Sequence, residues 1–536
     1  MTYDVAIVGS GVAGVNLADV LIQNGFKVLI LEAGPDHLPR WQYHQNYLAA
    51  PNKTPESPYI QNPEAPFPLT SDLFLYYDQK KESKFDCTYL KVAGGTTWHW
   101  LGTTLRFLPQ DFQLKSLYGK GVDWPITYDD LEPWYEKAES ALNVSGDDRF
   151  DLGSPRKNGY PKRPIPLNYL EQKIAPHIQT LTHWGKNLRL TVNPQARDPD
   201  ICVGSRSCIP ICPTGAKYEA AQHLAKVVKN GAELRTRSVA AYLTPNNDQN
   251  IESLTYLSWD GQKHQIQAKV FVIAANAIET AKLLLQSRDP KSSKTLANSS
   301  DLVGRNLMDH PAQISWALLK EPLFPYRGPF CNSGIDALRD GNFRKDHAAF
   351  RVQVNSDGWY WPKGEPSGVA KDFIDQGIWG KDLKEKLKNH MARHITVVSM
   401  IEQLPDPDNR ITLSNLKDAL GLPRPKIHYR LMSYEKDAMT EAKKVHELVF
   451  NKIGTTEMHH NDFSECSSHI MGTVRMGDDA KKAVVDKNLR TFENRNLFLL
   501  GSGVFPTSAT ANPTLTIAAL AIRLGNYLKT NMSTIQ

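Results

Sequence analysis

The chain has 536 residues, 41% of them hydrophobic and 22% charged, with a net charge of +6. That length exceeds one ordinary core, so two domains or one large composite domain are expected. Lys and Arg are scattered rather than clustered, which argues against nucleic acid as a partner, and no stretch approaches the roughly 18 uninterrupted apolar residues of a membrane span. The first strand begins at about Tyr3, leaving no room ahead of it for a signal peptide. By itself this reads as cytoplasmic, with export alongside a signal-bearing partner as the other possibility.

The N-terminal run TYDVAIVGSGVAGVNLADVLIQNGFKVLILEAGP reads as strand, glycine turn, helix and second strand. Gly9-x-Gly11-x-x-Gly14 opens the helix: Gly9 allows a tight turn, Gly11 lets backbone approach a pyrophosphate, and Gly14 lets helix and strand pack closely. Free N–H groups and the positive end of the helix dipole then favour phosphate. Glu32, 18 residues after Gly14, stands where a carboxylate can accept from ribose hydroxyls. The motif serves NAD and FAD alike; its place at the N-terminus and the residues downstream of it favour FAD.

A proline-rich excursion follows at 50 to 70, then Gly94 and Gly95, a turn where backbone must pass close to something flat or charged. Thr96 and Thr97 beside it are hydrogen-bond donors. DWPITYDDLEPWY reads as a helix region. The run CVGSRSCIPICPTGA carries Cys202, Cys208 and Cys212, spaced C-x5-C-x3-C. Three thiolates in a glycine- and proline-containing loop can ligate irons of a cluster. Zinc would want a fourth ligand, and no histidine lies near; His223 is closest, already inside the helix YEAAQHLAKVV suggests. A disulfide with one free thiol, or three free thiols, also satisfy the spacing. Cys87, Cys331 and Cys466 stand apart and read as ordinary buried thiols. GWYWPKG at 358 to 364 could stack on a sugar ring, although such aromatics more often pack. HITVVSMIEQL and RITLSNL alternate as strands of one antiparallel sheet, and KDLKEKLKNHMARH reads as a solvated helix. Near the C-terminus the strand NLFLL runs into Gly501-Ser502-Gly503, and Asn512 precedes Pro513, a good first residue of a helix.

The chain resembles the glucose–methanol–choline (GMC) family of FAD oxidoreductases along nearly its whole length. The matching runs are VAGGTTWHW, GVDWPITYDDLEPWYEKAE, FVIAANAIETAKLLLQS, SSDLVGRNLMDHP, SSHIMGTVRMG and NLFLLGSGVFPTSATANPTLTIAALAIRLGNYL. Within that family it is most similar to the catalytic subunits of bacterial glucose, fructose and gluconate dehydrogenases. The resemblance implies an α/β fold with antiparallel β: a discontinuous Rossmann-like FAD-binding domain (residues 1–40, 85–110, 215–310 and 465–536) and a substrate domain of antiparallel sheet and helices (311–464).

It further implies a role for each site residue. The Gly94–Thr97 loop covers the isoalloxazine and pyrophosphate. His99 falls where related pyranose oxidases carry a histidine covalently attached to the flavin, mere packing or hydrogen bonding being the other reading. His469 is the base for the substrate hydroxyl, Asn512 orients its oxygen and caps a helix aimed at the flavin, and His310 is structural. Cys202, Cys208 and Cys212 ligate a 3Fe–4S cluster in an iron–sulfur loop at residues 200–214. Related flavoproteins carry an acidic residue after the last strand; here Gly501 offers only backbone to FAD. The activity implied is oxidation of a hydroxyl of a sugar, sugar acid or polyol, with electrons leaving through the cluster to a c-type cytochrome subunit. A small chaperone-like subunit would carry the chain to the periplasmic side of the inner membrane, the only membrane association being through a partner. A self-contained sugar oxidase using oxygen, and a non-catalytic flavin redox carrier or assembly protein, are the competing functions.

Overall fold

In the parallel sheet of the computed structural model, chain segments far apart in sequence end at one edge. The structure describes residues 2–51, 53–246, 248–288, 294–356, 366–461 and 465–535; the GWYWPKG run lies outside them. Five strands run parallel in the order Leu497–Leu499, Ala268–Ile273, Tyr3–Val8, Val28–Leu31, Glu233–Arg235. Val28, Leu29, Ile30 and Leu31 are all essentially inaccessible, which is why this strand is a continuous apolar run rather than an alternating one. Each such side chain contributes about 1.5–3 kcal/mol of burial.

Register pairs Val8 with both Leu31 and Ile273, and Ile273 with Leu499. Gly9, Glu32, Ala274 and Gly501 therefore gather at the carboxyl edge, the place where doubly wound sheets bind ligands. The helix Val12–Gln23 packs on the C-terminal helix Thr514–Ile535. A Cβ at Gly525 would stand 2.8 Å from Val20, so glycine is what lets the two helices approach this closely.

The antiparallel sheet is ordered Thr455–His460, Pro311–Leu319, His394–Ile401, Phe350–Asn355, Ser333–Ile335, Thr191–Val192, with Glu465–Cys466 also pairing Pro311–Leu319. Helix Ser433–Ile453 covers one face through Tyr434, Ala438, Ala442, Val445 and Val449, a stripe at helical spacing that meets Val352, Ile395 and Val397. On the other face, Ala312, Ile314 and Trp316 pack against Val369 and Phe373 of the helix Pro366–Asp375. Helix Gly380–Arg393 buries only Met391 and Ala392, as the charge pattern predicts.

Two expectations are corrected here. Arg410–Lys417 forms a strand but does not join the large sheet; it pairs with Pro423–His428, Arg410 bridges Arg305, and Ile411 packs on Ile278 and Ala281. Alternation specifies a half-buried strand, whereas its partner is chosen by long-range packing. Cys87 and Cys466 are not free thiols: they form a disulfide across 379 residues of sequence. Cys331 is buried, as expected, and stands outside this disulfide.

Candidate active site

The glycine turn is built as its spacing demands. Gly9 has φ +105°, and a Cβ there would stand 2.7 Å from the Ala274 carbonyl oxygen; at Gly14 it would stand 2.0 Å from that of Gly9. A Cβ on Gly11 would meet nothing within 4 Å, so its backbone borders open space. Gly95 (φ +57°) lies across from it, with its ideal Cβ 3.3 Å from Gly11 Cα. Glu32 accepts from the Ser10 N–H and hydroxyl with one oxygen and from Gly34 N–H with the other. Burial raises its pKa against those three donors. Ser10 also accepts from Gly94 N–H at 3.2 Å, tying the nucleotide turn to the second glycine loop.

In that second loop both threonine hydroxyls are engaged by the protein. Thr96 Oγ1 accepts from Leu90 N–H. Thr97 donates its one O–H to Gly94 O (2.7 Å) and accepts from Ala220 N–H (2.9 Å), the first residue of helix Ala220–Lys229. Thr97 thus shapes the loop, and its proton is not free for an outside acceptor. His99 is buried, stands edge-on to Tyr59, and leaves Nδ1 without a hydrogen-bond partner. Burial and the nearby Lys217 charge push it down to about 4, keeping the imidazole neutral.

The three cysteines of the 200–214 loop line one small pocket together with Arg197, Gly204 and Pro213. Burial alone would push the Cys212 thiol up, but the Lys217 backbone N–H and the Arg197 and Lys217 charges bring it below its ordinary value. Burial brings Lys217 down to about 8, against the pull of Glu219, Cys212 and Cys208. Its ammonium donates to Thr97 O and Trp98 O, and Ile211 packs in one cluster with Trp98. The cysteine loop therefore rests directly on the Gly94–Trp98 turn.

His469 and Asn512 arrive from different segments. The chain pairs Met308 with Met471 through two 2.9 Å backbone bonds, which sets the MDHP run against the HIMG run. His469 N–H and Ser467 N–H donate to the two oxygens of Asp309, at 2.7 and 2.9 Å. His469 Nε2 lies 3.1 Å from Asn512 Nδ2, and its Nδ1 lies 2.8 Å from His310 Nδ1. Asn512 Oδ1 is buried and has no hydrogen-bond partner. Burial, with a smaller contribution from His310, depresses the His469 pKa well below the usual histidine value, so the ring is neutral near pH 7. The helix after Asn512 is assigned from Thr514, but Ile517 N–H already bonds Pro513 O, so Pro513 begins its first turn.

Two sequence profiles, both described as GMC oxidoreductase, match residues 109–312 and 405–521. The fructose dehydrogenase large subunit of Gluconobacter japonicus is 34% identical across 98% of this chain and 98% of its own. The chain belongs to the GMC oxidoreductase family. It is accordingly an oxidoreductase acting on CH–OH groups, built on the GMC fold with its FAD-binding domain. The 2-methyl-1,2-propanediol dehydrogenase of Mycolicibacterium austroafricanum is 28% identical over 99% of this chain and 96% of that one. The crystal structure of pyridoxine 4-oxidase from Mesorbium loti superposes with a TM-score of 0.68 at 17% identity, covering 98% and 99% of the two chains, and shares the fold.

The residues of this GMC enzyme fit FAD. Gly11 presents bare backbone to open space with Gly95 packed beside it, and Glu32 and Gly501 lie at the same sheet edge. Gly501 has φ +123°, and a Cβ there would reach 3.3 Å from Ala275 O, so the turn needs glycine. Three features escaped sequence reasoning. Ser10 bridges Glu32 and Gly94; its only signal was its position between two motif glycines. Asp309, fixing the backbone of His469, is pushed up to about 7 by burial in spite of its backbone donors. His310 contacts His469 directly although its motif suggested a structural part. The sulfurs of Cys87 and Cys466 lie close to Asp309, but being bonded to each other they offer no thiolate to a metal.

Proposed function

We propose that this GMC oxidoreductase is the catalytic subunit of a dehydrogenase that oxidises a hydroxyl of a sugar, sugar acid or polyol and passes the electrons to a cytochrome subunit. The observation that carries the reading is the neutral His469, its Nε2 facing the Asn512 amide at 3.1 Å. The substrate hydroxyl gives its proton to His469 Nε2, and Asn512 orients the oxygen. FAD, when bound by the Gly9–Gly14 turn, Glu32 and the Gly94–Thr97 loop, supplies the acceptor for the hydride that leaves the carbinol carbon. The buried, unpartnered Nδ1 of His99 is available for covalent attachment. A cavity of about 300 Å³ lined by Asp86, Asp309, Tyr429, Arg430 and Lys436 opens on the far side of Asp309, and neither His469 nor Asn512 lines it.

Cys202, Cys208 and Cys212, converging on one pocket with Arg197 and Lys217 nearby, suit a 3Fe–4S cluster, which when bound supplies a one-electron exit. The similarity to a fructose dehydrogenase large subunit, and to the gluconate 2-dehydrogenase flavoprotein of Pantoea cypripedii at 22% identity over 96% of this chain and 92% of that one, supports a sugar substrate and companion subunits. Periplasmic residence, reached with a small exported subunit, is consistent with the Cys87–Cys466 disulfide. Among the described residues no helix is long and apolar enough to cross a membrane.

The test is anaerobic bleaching of the FAD-loaded protein by a panel of sugars, sugar acids and polyols, then iron analysis and electron paramagnetic resonance of the oxidised form. One of the panel should bleach the flavin, with about three irons per chain and a three-iron signal lost in Cys208→Ser. Stoichiometric hydrogen peroxide from an iron-free active enzyme would replace this reading with an oxidase, and failure of every hydroxyl compound to bleach the flavin would overturn it.

A further inference from the structure

His310 is fully buried, and its Nε2 lies 3.0 Å from Ala509 O and 3.2 Å from Ser508 O. Carbonyl oxygens only accept, so Nε2 must carry a hydrogen and donate it to them. Burial pushes the His310 pKa down to about 4, so near neutrality the ring has one N–H, and it is this one. Its Nδ1 is then a bare lone pair, 2.8 Å from Nδ1 of His469. Two lone pairs at that distance would repel, so a hydrogen lies between the rings, and only His469 can supply it.

We propose that His310 is a positioning residue that holds His469 in its Nδ1–H tautomer, making Nε2 the nitrogen that accepts the substrate proton. A neutral imidazole has one N–H, so with Nδ1 protonated the Nε2 lone pair is bare. The other side of the ring agrees independently: Asn512 Nδ2, a donor, sits 3.1 Å from that Nε2 and needs an acceptor there. The chain builds the clamp from three segments. The Met308–Met471 pairing sets the two rings at the same level, and Asp309 accepts the His469 backbone N–H at 2.7 Å. The Ser508–Ala509 carbonyls belong to the stretch leading into Asn512, so the segment that fixes the His310 tautomer also delivers the amide.

This rests on the reading of His469 as base, and two measurements separate the two claims. The first is nitrogen-15 NMR of histidine-labelled, FAD-loaded wild type, with the His469 signals assigned by their loss in His469→Asn. The proposal expects a protonated Nδ1 and a bare Nε2 at His469; a protonated Nε2 would overturn it whatever the catalytic role of the ring, and no His310 variant need fold. The second is the limiting rate of anaerobic flavin reduction. His310→Leu removes the acceptor and should lower that rate by about 10²–10⁴-fold, the range spanned by loss of general base catalysis and by a wrong histidine tautomer, with KM changed by less than about threefold. His310→Asn places a carbonyl oxygen near the former Nδ1 and should recover the rate to within about tenfold of wild type, the residual loss reflecting imperfect alignment. An unchanged rate in His310→Leu, or equal losses in both variants, would overturn the clamp. If His469→Asn itself reduces flavin at the wild-type rate, the base assignment fails while the NMR result still decides the tautomer.

Discussion

Replacing Gly472 by alanine probes how the His310–His469 contact is built. Gly472 has φ +75°, and an ideal Cβ there would stand 1.9 Å from the Asn306 carbonyl oxygen, where contacts under 3.0 Å essentially never occur. The neighbouring segments must therefore move apart by more than about 1 Å, since Asn306 O is backbone and cannot swing away. The positive φ costs about 1–2 kcal/mol for any L side chain. The two Met308–Met471 bonds flanking the clash are each worth about 0.5–1.5 kcal/mol net, so the folded state loses about 2–5 kcal/mol. A displacement of that size at the 2.8 Å contact between the rings should cost about 10²-fold in the rate of flavin reduction. Gly261→Ala is the control: Gly261 has φ +81°, but its Cβ would meet nothing within 4 Å, so it isolates the backbone cost from the clash. Thermal inactivation half-life and stopped-flow flavin reduction, measured on both variants, test the argument. Equal behaviour of the two would refute the claim that the Asn306 contact sets the geometry of the site.

Gly11→Ala should leave the apoprotein as stable as wild type, because its Cβ meets open space, yet lower FAD retention; flavin absorbance per mole of purified protein measures this, and full occupancy would contradict the assignment of that space. Cys466→Ser should lower stability by about 2–4 kcal/mol, the usual worth of a disulfide, and wild type in reductant should show the same loss in denaturant unfolding; no change in either would remove the structural role of the bond. Since burial depresses the His469 pKa, the base is deprotonated on both sides of the ordinary histidine value of about 6.5. The nitrogen-15 shifts of the His469 ring should then stay constant as pH drops through about 6.5. Unlike the rate of flavin reduction, this readout reports the ring and not the neighbouring Asp309 carboxyl, pushed up to about 7. A protonation shift of the ring centred near 6.5 would show that it titrates as an exposed histidine of about that value does.

Much of the nucleotide end was legible in sequence because its constraints are local. Gly9, Gly11, Gly14 and Glu32 sit within 24 residues; Gly9 and Gly14 are required by contacts made inside one strand–turn–helix unit or with the strand beside it, and Gly11 borders open space. His469 and Asn512 were legible only through family resemblance, since among 16 histidines no local pattern marks a base. Cys87 and Cys466 carried no signal of pairing, because a bond across 379 residues depends on folding of everything between them.

The amino-acid sequence by itself determined the glycine turn, the strand and helix periods, and the close spacing of Cys202, Cys208 and Cys212, since these rest on backbone freedom and side-chain alternation over a few residues. Only the tertiary structure decided that Arg410–Lys417 leaves the large sheet, that Thr97 spends its proton on its own loop, and that His310 faces His469. A hydrogen bond is made or refused over a few tenths of an ångström, and distances that fine between segments 159 residues apart are set by the packing of the whole core.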